Sequence, residues 1–407
     1  MTGPARRWVG ALALGVLGTV LVPAALVQGL NLGLIREGRR AKREVALTFD
    51  DGPDPETTPQ VLDALKAAGG RATFFLLADR AEAHPALVRR MRAEGHEIGA
   101  HAVRHVHGWR RAPLDALRDP GEAAGRIAAV AGVPVRLHRP PHGAYTLFTV
   151  WGQRRAGLQG VHWSLEGQDW QAGRTPAQVR ARLERRIVPG AVVVLHDAGP
   201  GGRTTAALLP ELLARLKARG YTVNPVSDLD GATPVGRAAL KRRMILALDA
   251  AYDRVEHVRM VGDRADNLFR VNRVAFPHAG LAWPDGTPIP AGTPALEFHV
   301  NNPQLVDLGP RAAVRAAPAD FQELARELLD RPEYREAQLV FCVSSLGPLL
   351  SLVGFTNVPL PPGTGRRLRG WANVLRRAYG SAPDAPAPVL SVLSREAFLR
   401  RYGPRAG

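Results

Sequence analysis

The chain has 407 residues, 45% hydrophobic and 22% charged, so it can bury more than one core and is not a disordered tail. Its single cysteine, Cys342, excludes an intramolecular disulfide and a cysteine-rich zinc site. The formal charge of +17 is carried almost wholly by arginine, since Lys42, Lys66, Lys217 and Lys241 are the only lysines. The charge reads mostly as arginine-for-lysine usage, or else as attraction to anionic lipid, wall polymer or nucleic acid; no zinc-finger or RRM-like pattern supports the last, so no nucleic-acid partner is expected.

Arg6 and Arg7 precede an apolar run from Trp8 to about Ile35, broken by strongly polar side chains only at Gln28 and Asn31. The run exceeds the roughly 20 residues that a helix needs to cross a bilayer. Residues 1–40 therefore read as a single-pass membrane anchor, or as a signal segment cleaved near Val22-Pro23-Ala24. The apolar residues that continue past that point favour the anchor. Arg36, Arg39, Arg40, Lys42 and Arg43 follow the run, and a count of charges alone would hold what comes next in the cytoplasm.

From Val45 to about Leu229, short apolar runs alternate with helical patterns. Strands are predicted at Val45–Phe49, Ala72–Leu77, Glu97–Ala100, Val135–His138, Gly160–Ser164, Val192–Leu195 and Thr222–Pro225. Helices are predicted at Thr57–Ala68, Pro85–Glu94, Leu114–Ala131, Pro176–Arg186 and Thr204–Ala218. This alternation predicts an α/β fold, a parallel sheet with helical crossovers, and about seven strands suit a deformed (β/α) barrel better than a small open sheet. Gly231–Gly236 reads as a linker. Beyond it, a smaller α+β domain is expected, with helices around Ala238–Val255, Pro318–Leu329 and Leu346–Val353. Its strands are predicted at Leu268–Ala275, Ala295–Val300 and Gln338–Val343, and basic helices close the chain.

Polar clusters recur just after the predicted strands, where a (β/α) barrel gathers its reactive groups. Thr48-Phe49-Asp50-Asp51-Gly52-Pro53 ends the first strand. Adjacent carboxylates after an apolar strand are costly to desolvate unless paired or metal-bound. One can ligate an ion while the other serves as base; an Asx turn explains the same residues structurally. His101 and His105, at i and i+4, would face the same way on a helical turn and grip one ion. With Asp51 they make a three-ligand set that leaves room for water, His107 being a spare. In His138-Arg139-Pro140-Pro141-His142-Gly143, paired prolines fix a loop and Gly143 permits close backbone approach. Arg139 could hold Asp50 through a bidentate contact, or lie on the surface. Asp169-Trp170 and Leu195-His196-Asp197 follow later strands, and a strand-end His near an Asp from elsewhere is a general-acid candidate.

These five blocks, in this order over about residues 41–230, resemble the motif set of the polysaccharide deacetylase (NodB homology) family, also called carbohydrate esterase family 4. The resemblance implies that Asp50 is the catalytic base and that Asp51, His101 and His105 hold a divalent ion, zinc or else cobalt. It implies that Arg139 positions the base, Asp169 tunes the general acid His196, Trp170 lines the pocket, and Leu195 receives the acetyl methyl. Pro141, His142 and Gly143 would form the substrate-binding turn, with the His142 backbone N–H at the oxyanion. The implied reaction is deacetylation of an N-acetylated polysaccharide by metal-activated water, with peptidoglycan, chitin-like oligomers or exopolysaccharide as substrate. An O-acetyl esterase and a non-catalytic, membrane-tethered glycan-binding protein are the alternatives. Such an activity places the catalytic domain outside the cytoplasm, against the charge count; protein partners are not indicated. Two departures from the family pattern stand out: Ala102 where Ser or Thr is usual, and His142 where Tyr is frequent.

Residues 238–385 resemble the YkoP-like domain that accompanies some such deacetylases, on the Arg270–Arg273 strand and the Glu297-Phe298-His299-Val300-Asn301-Asn302 block. His299, Asn301 and Asn302 could form a polar site, or a strand end followed by an Asx turn. Arg366, Arg367, Arg369, Arg376 and Arg377 read as a solvated face or a contact for anionic lipid. Ser381–Pro388 reads as a flexible linker, and residues 386–407 as a tail.

Overall fold

The computed structural model of the protein describes residues 17–236, 251–283, 285–360 and 386–404, with Arg366, Leu368, Arg369 and Asn373 besides. The chain divides into two compact units, residues 1–237 and 238–407.

The first unit is built on eight parallel strands: β1 Glu44–Asp50, β2 Thr73–Leu77, β3 Glu97–Ala102, β4 Leu137–His138, β5 Gln159–Gly160, β6 Leu165–Glu166, β7 Ala191–His196 and β8 Thr222–Val223. Their order is β5-β4-β3-β2-β1-β7-β6, with β8 pairing the start of β1. Alternation along β1 sends Val45, Leu47 and Phe49 into the layer beneath the helices, and Ala46 to the inner face. The helices Thr58–Ala68 and Gly199–Ala218 seal that layer with Val61, Leu62, Leu65, Leu209, Leu212 and Leu216, spaced at helical intervals on one face of each.

The sheet is curled but does not close between β5 and β6. The gap is crossed by the segment 32–37, in which Ile35 bridges Val161 and Glu37 bridges Ala191. Leu34 and Ile35 are buried, and Ile35 joins Ala46, Phe75, Leu137, Val161 and Val192 in the inner cluster. This corrects the reading of the apolar run as membrane-embedded as far as Ile35, because its last residues fill the interior of the unit. Among the described residues, no helix is long and apolar enough to cross a membrane. Residues 1–16, which hold the first part of the run, lie outside them.

Among the described residues of the first unit, two helices were not legible in the sequence. Leu147–Arg155 buries Thr149, Gly152 and Gln153 while Leu147 and Trp151 face solvent, the reverse of the usual hydrophobic pattern. Ala78–Ala83 buries only Ala78 and Ala81. Of the strand predicted at Gly160–Ser164 only Gly160 is in a strand, as the end of β5, and β6 starts beyond it at Leu165. Between them the Val161 and His162 carbonyls are drawn off to the Arg139 guanidinium, and the His162 N–H to Ile35.

The second unit carries a mixed six-stranded sheet: β9 Arg259–Met260, β10 Phe269–Ala275, β13 Pro294–Val300, β14 Leu339–Ser344, β15 Thr356–Pro359 and β16 Val389–Ser394. A separate hairpin pairs β11 Leu281–Ala282 with β12 Pro288–Ile289. The sheet order is β15-β16-β14-β13-β10-β9, parallel only between β13 and β14, and β16 inside it corrects the reading of residues 386–407 as a tail. One face packs under the helices Pro310–Asp330 and Arg395–Tyr402 through Phe269, Phe298, Phe321, Phe355 and Phe398. The Phe269 and Phe321 rings stack at 4.1 Å. The helix expected from Pro318 begins at Pro310, with Pro318 inside it. Of the helix expected at Ala238–Val255, residues 251–255 are helical and the rest lie outside the described residues.

Candidate active site

The reactive groups of the first unit come from the C-terminal ends of its strands. On β1 and β7, Asp50 and His196 are register partners on adjacent strands, so their side chains leave the same face. Asp50 is buried and accepts a hydrogen bond of 2.8 Å from Arg139 Nη1. The same Nη1 donates to Thr48 Oγ1 at 2.7 Å, and Nη2 donates to the His162 carbonyl at 3.1 Å. Arg139 is fully buried, with its guanidinium 4.2 Å from the Phe75 ring centre. The expected bidentate contact is therefore corrected to a single one. Nη1 is shared between Asp50 and Thr48, and Nε and Nη2 are committed to backbone carbonyls, which fix the guanidinium more firmly than one carboxylate could.

Next along β1, Asp51 lies in the left-handed region at φ 76. Its Oδ1 sits 3.3 Å from His101 Nε2 and 3.2 Å from His105 Nε2. The helical-turn expectation for this histidine pair is also corrected. His101 belongs to β3 and His105 to the loop after it, so a strand end and its loop bring the rings together. Gly52 is required here, since a Cβ at that position would stand 2.3 Å from Asp197 Oδ2.

These three donors can hold a metal ion. One ligand atom from each of Asp51, His101 and His105 lies within 4.8 Å of the others, and they form the only such group among the described residues. Asp51 Oδ1 is buried without a hydrogen bond of good geometry, as a carboxylate oxygen reserved for a cation would be. Burial acts to raise the Asp51 pKa, but the His101 ring, then His105 and His196, hold it well below the usual carboxylate range. An anionic carboxylate with two imidazoles suits zinc or a similar divalent ion. His107 turns away from this set; it stacks on His142 at 4.8 Å and its Nδ1 accepts the Trp109 N–H.

The general-acid candidate is built as a pair. His196 Nδ1 faces Asp169 Oδ1 at 3.0 Å, and Asp169 Oδ2 accepts from the His196 backbone N–H at 2.8 Å and from Thr205 Oγ1 at 2.7 Å. Burial disfavours the imidazolium, but the hydrogen bond and charge of Asp169, followed by Asp50 and Asp51, raise the His196 pKa to about 9. The raised value means that this pair stabilises the fold fully below about pH 6.5 and stops doing so as pH climbs through about 9. In protein stripped of divalent ions, ring NMR is expected to place the His196 midpoint near 9, and Asp169→Asn to return it toward 6.5. A wild-type midpoint at the ordinary value would refute the pairing.

Around these groups, Pro141 is buried and His142 exposed at φ 58. A Cβ on Gly143 would meet Trp163 at 2.8 Å, so the turn needs glycine there. Trp170 is 46% exposed, with its indole N–H on Glu166 Oε1. Leu195 is fully buried in the layer between sheet and helices. Asp197, seen in the sequence only as a neighbour of His196, joins the two catalytic strand ends. Its carbonyl accepts from Thr57 Oγ1 at 2.5 Å, and its carboxyl accepts from Thr58 Oγ1 at 2.6 Å. Burial raises the Asp197 pKa to about 7. Thr48 was signalled by its place two residues before Asp50 on the inner face; nothing in the sequence marks Thr57, Thr58 or Thr205.

In the second unit, His299 Nε2 lies 3.2 Å from Asn272 Oδ1, and Asn301 Nδ2 donates to the Asn267 carbonyl at 3.1 Å. Burial lowers His299 to about 4 and raises Glu297 to about 7. Asn301 stands at the cap position of the helix Asn302–Leu308 without a side-chain cap. These contacts are those of a packed polar strand end. Of the arginine cluster near the C-terminus, Arg367, Arg376 and Arg377 lie outside the described residues.

Comparison with known proteins finds a family for each unit. The family profile for polysaccharide deacetylase matches residues 37–161, and that for the YkoP domain matches residues 240–402. A chitooligosaccharide deacetylase of Bradyrhizobium sp. (strain ANU 289) is 35% identical over 199 residues, covering 46% of this chain and 90% of that protein. A peptidoglycan-N-acetylglucosamine deacetylase of Bacillus cereus is 35% identical over 187 residues, covering 46% and 87%. The solved peptidoglycan deacetylase of Bacillus subtilis is 28% identical, with a TM-score of 0.43, covering 53% of this chain and 97% of that one.

Proposed function

Since the chain belongs to the polysaccharide deacetylase family, we propose that it hydrolyses acetyl groups from the N-acetylated sugars of a polysaccharide, with a divalent ion bound by Asp51, His101 and His105. The observation that carries this reading is the pairing of Asp50 with His196 across adjacent strands, each held by its own buried partner, Arg139 and Asp169. A base and an acid presented on one face can serve the two halves of an amide hydrolysis. The ion, zinc or cobalt, supplies polarisation of the acetyl carbonyl and a more acidic water.

Asp50 takes the proton of the attacking water, and Arg139 keeps it aimed. The His142 backbone N–H donates to the carbonyl oxygen as charge gathers there. As the carbon–nitrogen bond breaks, the His196 imidazolium gives its proton to the departing nitrogen. Asp169 stabilises that imidazolium beforehand. Acetate and a free amino sugar result. Trp170 offers an exposed ring for the sugar face.

Acetate release by the full chain, with zinc or cobalt added, tests this on peptidoglycan, N-acetylglucosamine oligomers and acetylated xylan. Release from an N-acetylated substrate, abolished by chelation and restored by one equivalent of ion, is the expected result. Release from xylan alone would reassign the protein as an O-acetyl esterase. No release and no bound ion would refute the enzyme reading. The proposed site of action is outside the cytoplasm, on a membrane tether within residues 1–30, supported by the apolar run there. A phosphatase reporter joined after residue 404 should be active only if the chain is exported.

A further inference from the structure

On the helix Pro176–Arg186, Gln178, Ala181, Arg182 and Arg185 recur at i, i+3, i+4 and i+7, and so form one stripe opposite the buried Val179 and Leu183. With Arg174 and Arg186 they line a cleft of about 550 Å³, in which the small Ala181 leaves room between the guanidinium groups. Four arginines meet here, and none makes an ion pair among the described residues. The helix has one acid, Glu184, and it is spent elsewhere, on Arg180 at 2.8 Å and Arg215 at 3.3 Å. The helix dipole accounts for Arg185 and Arg186 in the last turn. It does not account for Arg182 in the middle, nor for Arg174, which precedes the N-terminus and is opposed by the dipole. Burial, then the charges of Arg186 and Arg174, lower the Arg182 pKa, and the Glu166 carboxylate offsets them only in part.

The cleft is joined to the active-site rim through one residue. The Glu166 carbonyl accepts from Arg182 Nε at 3.1 Å, while the Glu166 carboxylate accepts from the Trp170 indole at 3.0 Å. Trp170 and Arg174 are four residues apart, so their backbones are within about 14 Å. A glycan laid across Trp170 would carry its neighbouring units toward the guanidinium groups.

We infer that the cleft formed by Arg174, Arg182, Arg185 and Arg186 binds acidic substituents, carboxylate or phosphate, of the acetylated glycan, and so directs the enzyme to anionic rather than neutral polymers. Planar guanidinium forks match both anions. The inference rests on the deacetylase reading for its effect on turnover, but binding tests it separately.

Retention by full-length Asp50→Asn protein would be measured with three probes: glycan strands bearing free carboxylates, the same strands after amidation of those groups, and a phosphate-bearing wall glycan. Retention of either anionic glycan at least ten-fold above the amidated strands is expected. It should fall ten-fold with Arg185→Gln/Arg186→Gln and return in part with Arg185→Lys/Arg186→Lys, which keep the charge but not the fork. In the active protein, the double glutamine variant should lower the ratio of kcat/KM on charged over amidated strands by about the same factor. Equal retention of charged and amidated strands would overturn the inference even if acetate is released. So would preferential capture by vesicles containing phosphatidylglycerol, which would make the cleft a lipid contact. If no substrate releases acetate but charge-dependent retention follows the variants, the deacetylase reading fails and the binding site stands.

Discussion

Replacing Asp50 by asparagine is expected to lower kcat on an N-acetylated glycan by about 1,000-fold, within the roughly 100- to 10,000-fold range of positioned general bases. The substitution keeps the volume of the side chain and an oxygen for Arg139 Nη1, now 2.8 Å away. It removes the capacity to take a proton. Asp51, His101 and His105 are untouched, so one equivalent of ion should remain bound, measured by elemental analysis of dialysed protein. His101→Ala should lose both ion and activity. A loss below ten-fold in Asp50→Asn, with the ion retained, would move the base elsewhere.

Arg139→Met should be the most destabilising single change at the site. Arg139 is fully buried and spends its donors on Asp50, Thr48 and the His162 carbonyl. Methionine fills much of the space but leaves the Asp50 carboxylate buried and unpaired. Breaking one side of a buried pair costs roughly 3–5 kcal/mol. For a domain of this size that is a fall in Tm of roughly 6–20 °C, read by calorimetry. Arg139→Lys keeps the charge but not the fork, and should fall between the two. If Arg139→Met melts with the wild type, the guanidinium is not what holds β1, β4 and the 161–162 segment together.

The motif residues were legible because β/α alternation sends strand ends to one rim, so an apolar run followed by polar residues announces its own position. Asp50, Asp51, His101, His105, Arg139, Asp169 and His196 all lie at or just beyond such ends. What could not be read depends on backbone traffic. Arg139 takes carbonyls that would otherwise continue a strand, and a composition-based reading cannot know that those acceptors are claimed. The helix Leu147–Arg155 hid because Trp151 faces outward and Gln153 inward, where it meets the buried His138 ring at 2.8 Å. The apolar N-terminal run misled for a simpler reason. Hydropathy registers aversion to water, and Ile35 satisfies it inside protein as well as it would in lipid.

That last point bears on where the folded body begins. The curled sheet is a hoop with a missing stave, and residues 32–37 are the stave. Ile35 also supplies the carbonyl that receives the N–H of His162, whose own carbonyl and that of Val161 steady Arg139. A domain drawn from the motifs alone, starting at residue 41, would leave Val161 and Val192 facing an opening and would loosen the wall behind the catalytic base. The same insertion joins residues 32–37 directly to the wall behind the catalytic base. Whatever grips that segment grips the enzyme directly, as a handle fixed to a blade rather than a cord tied to it.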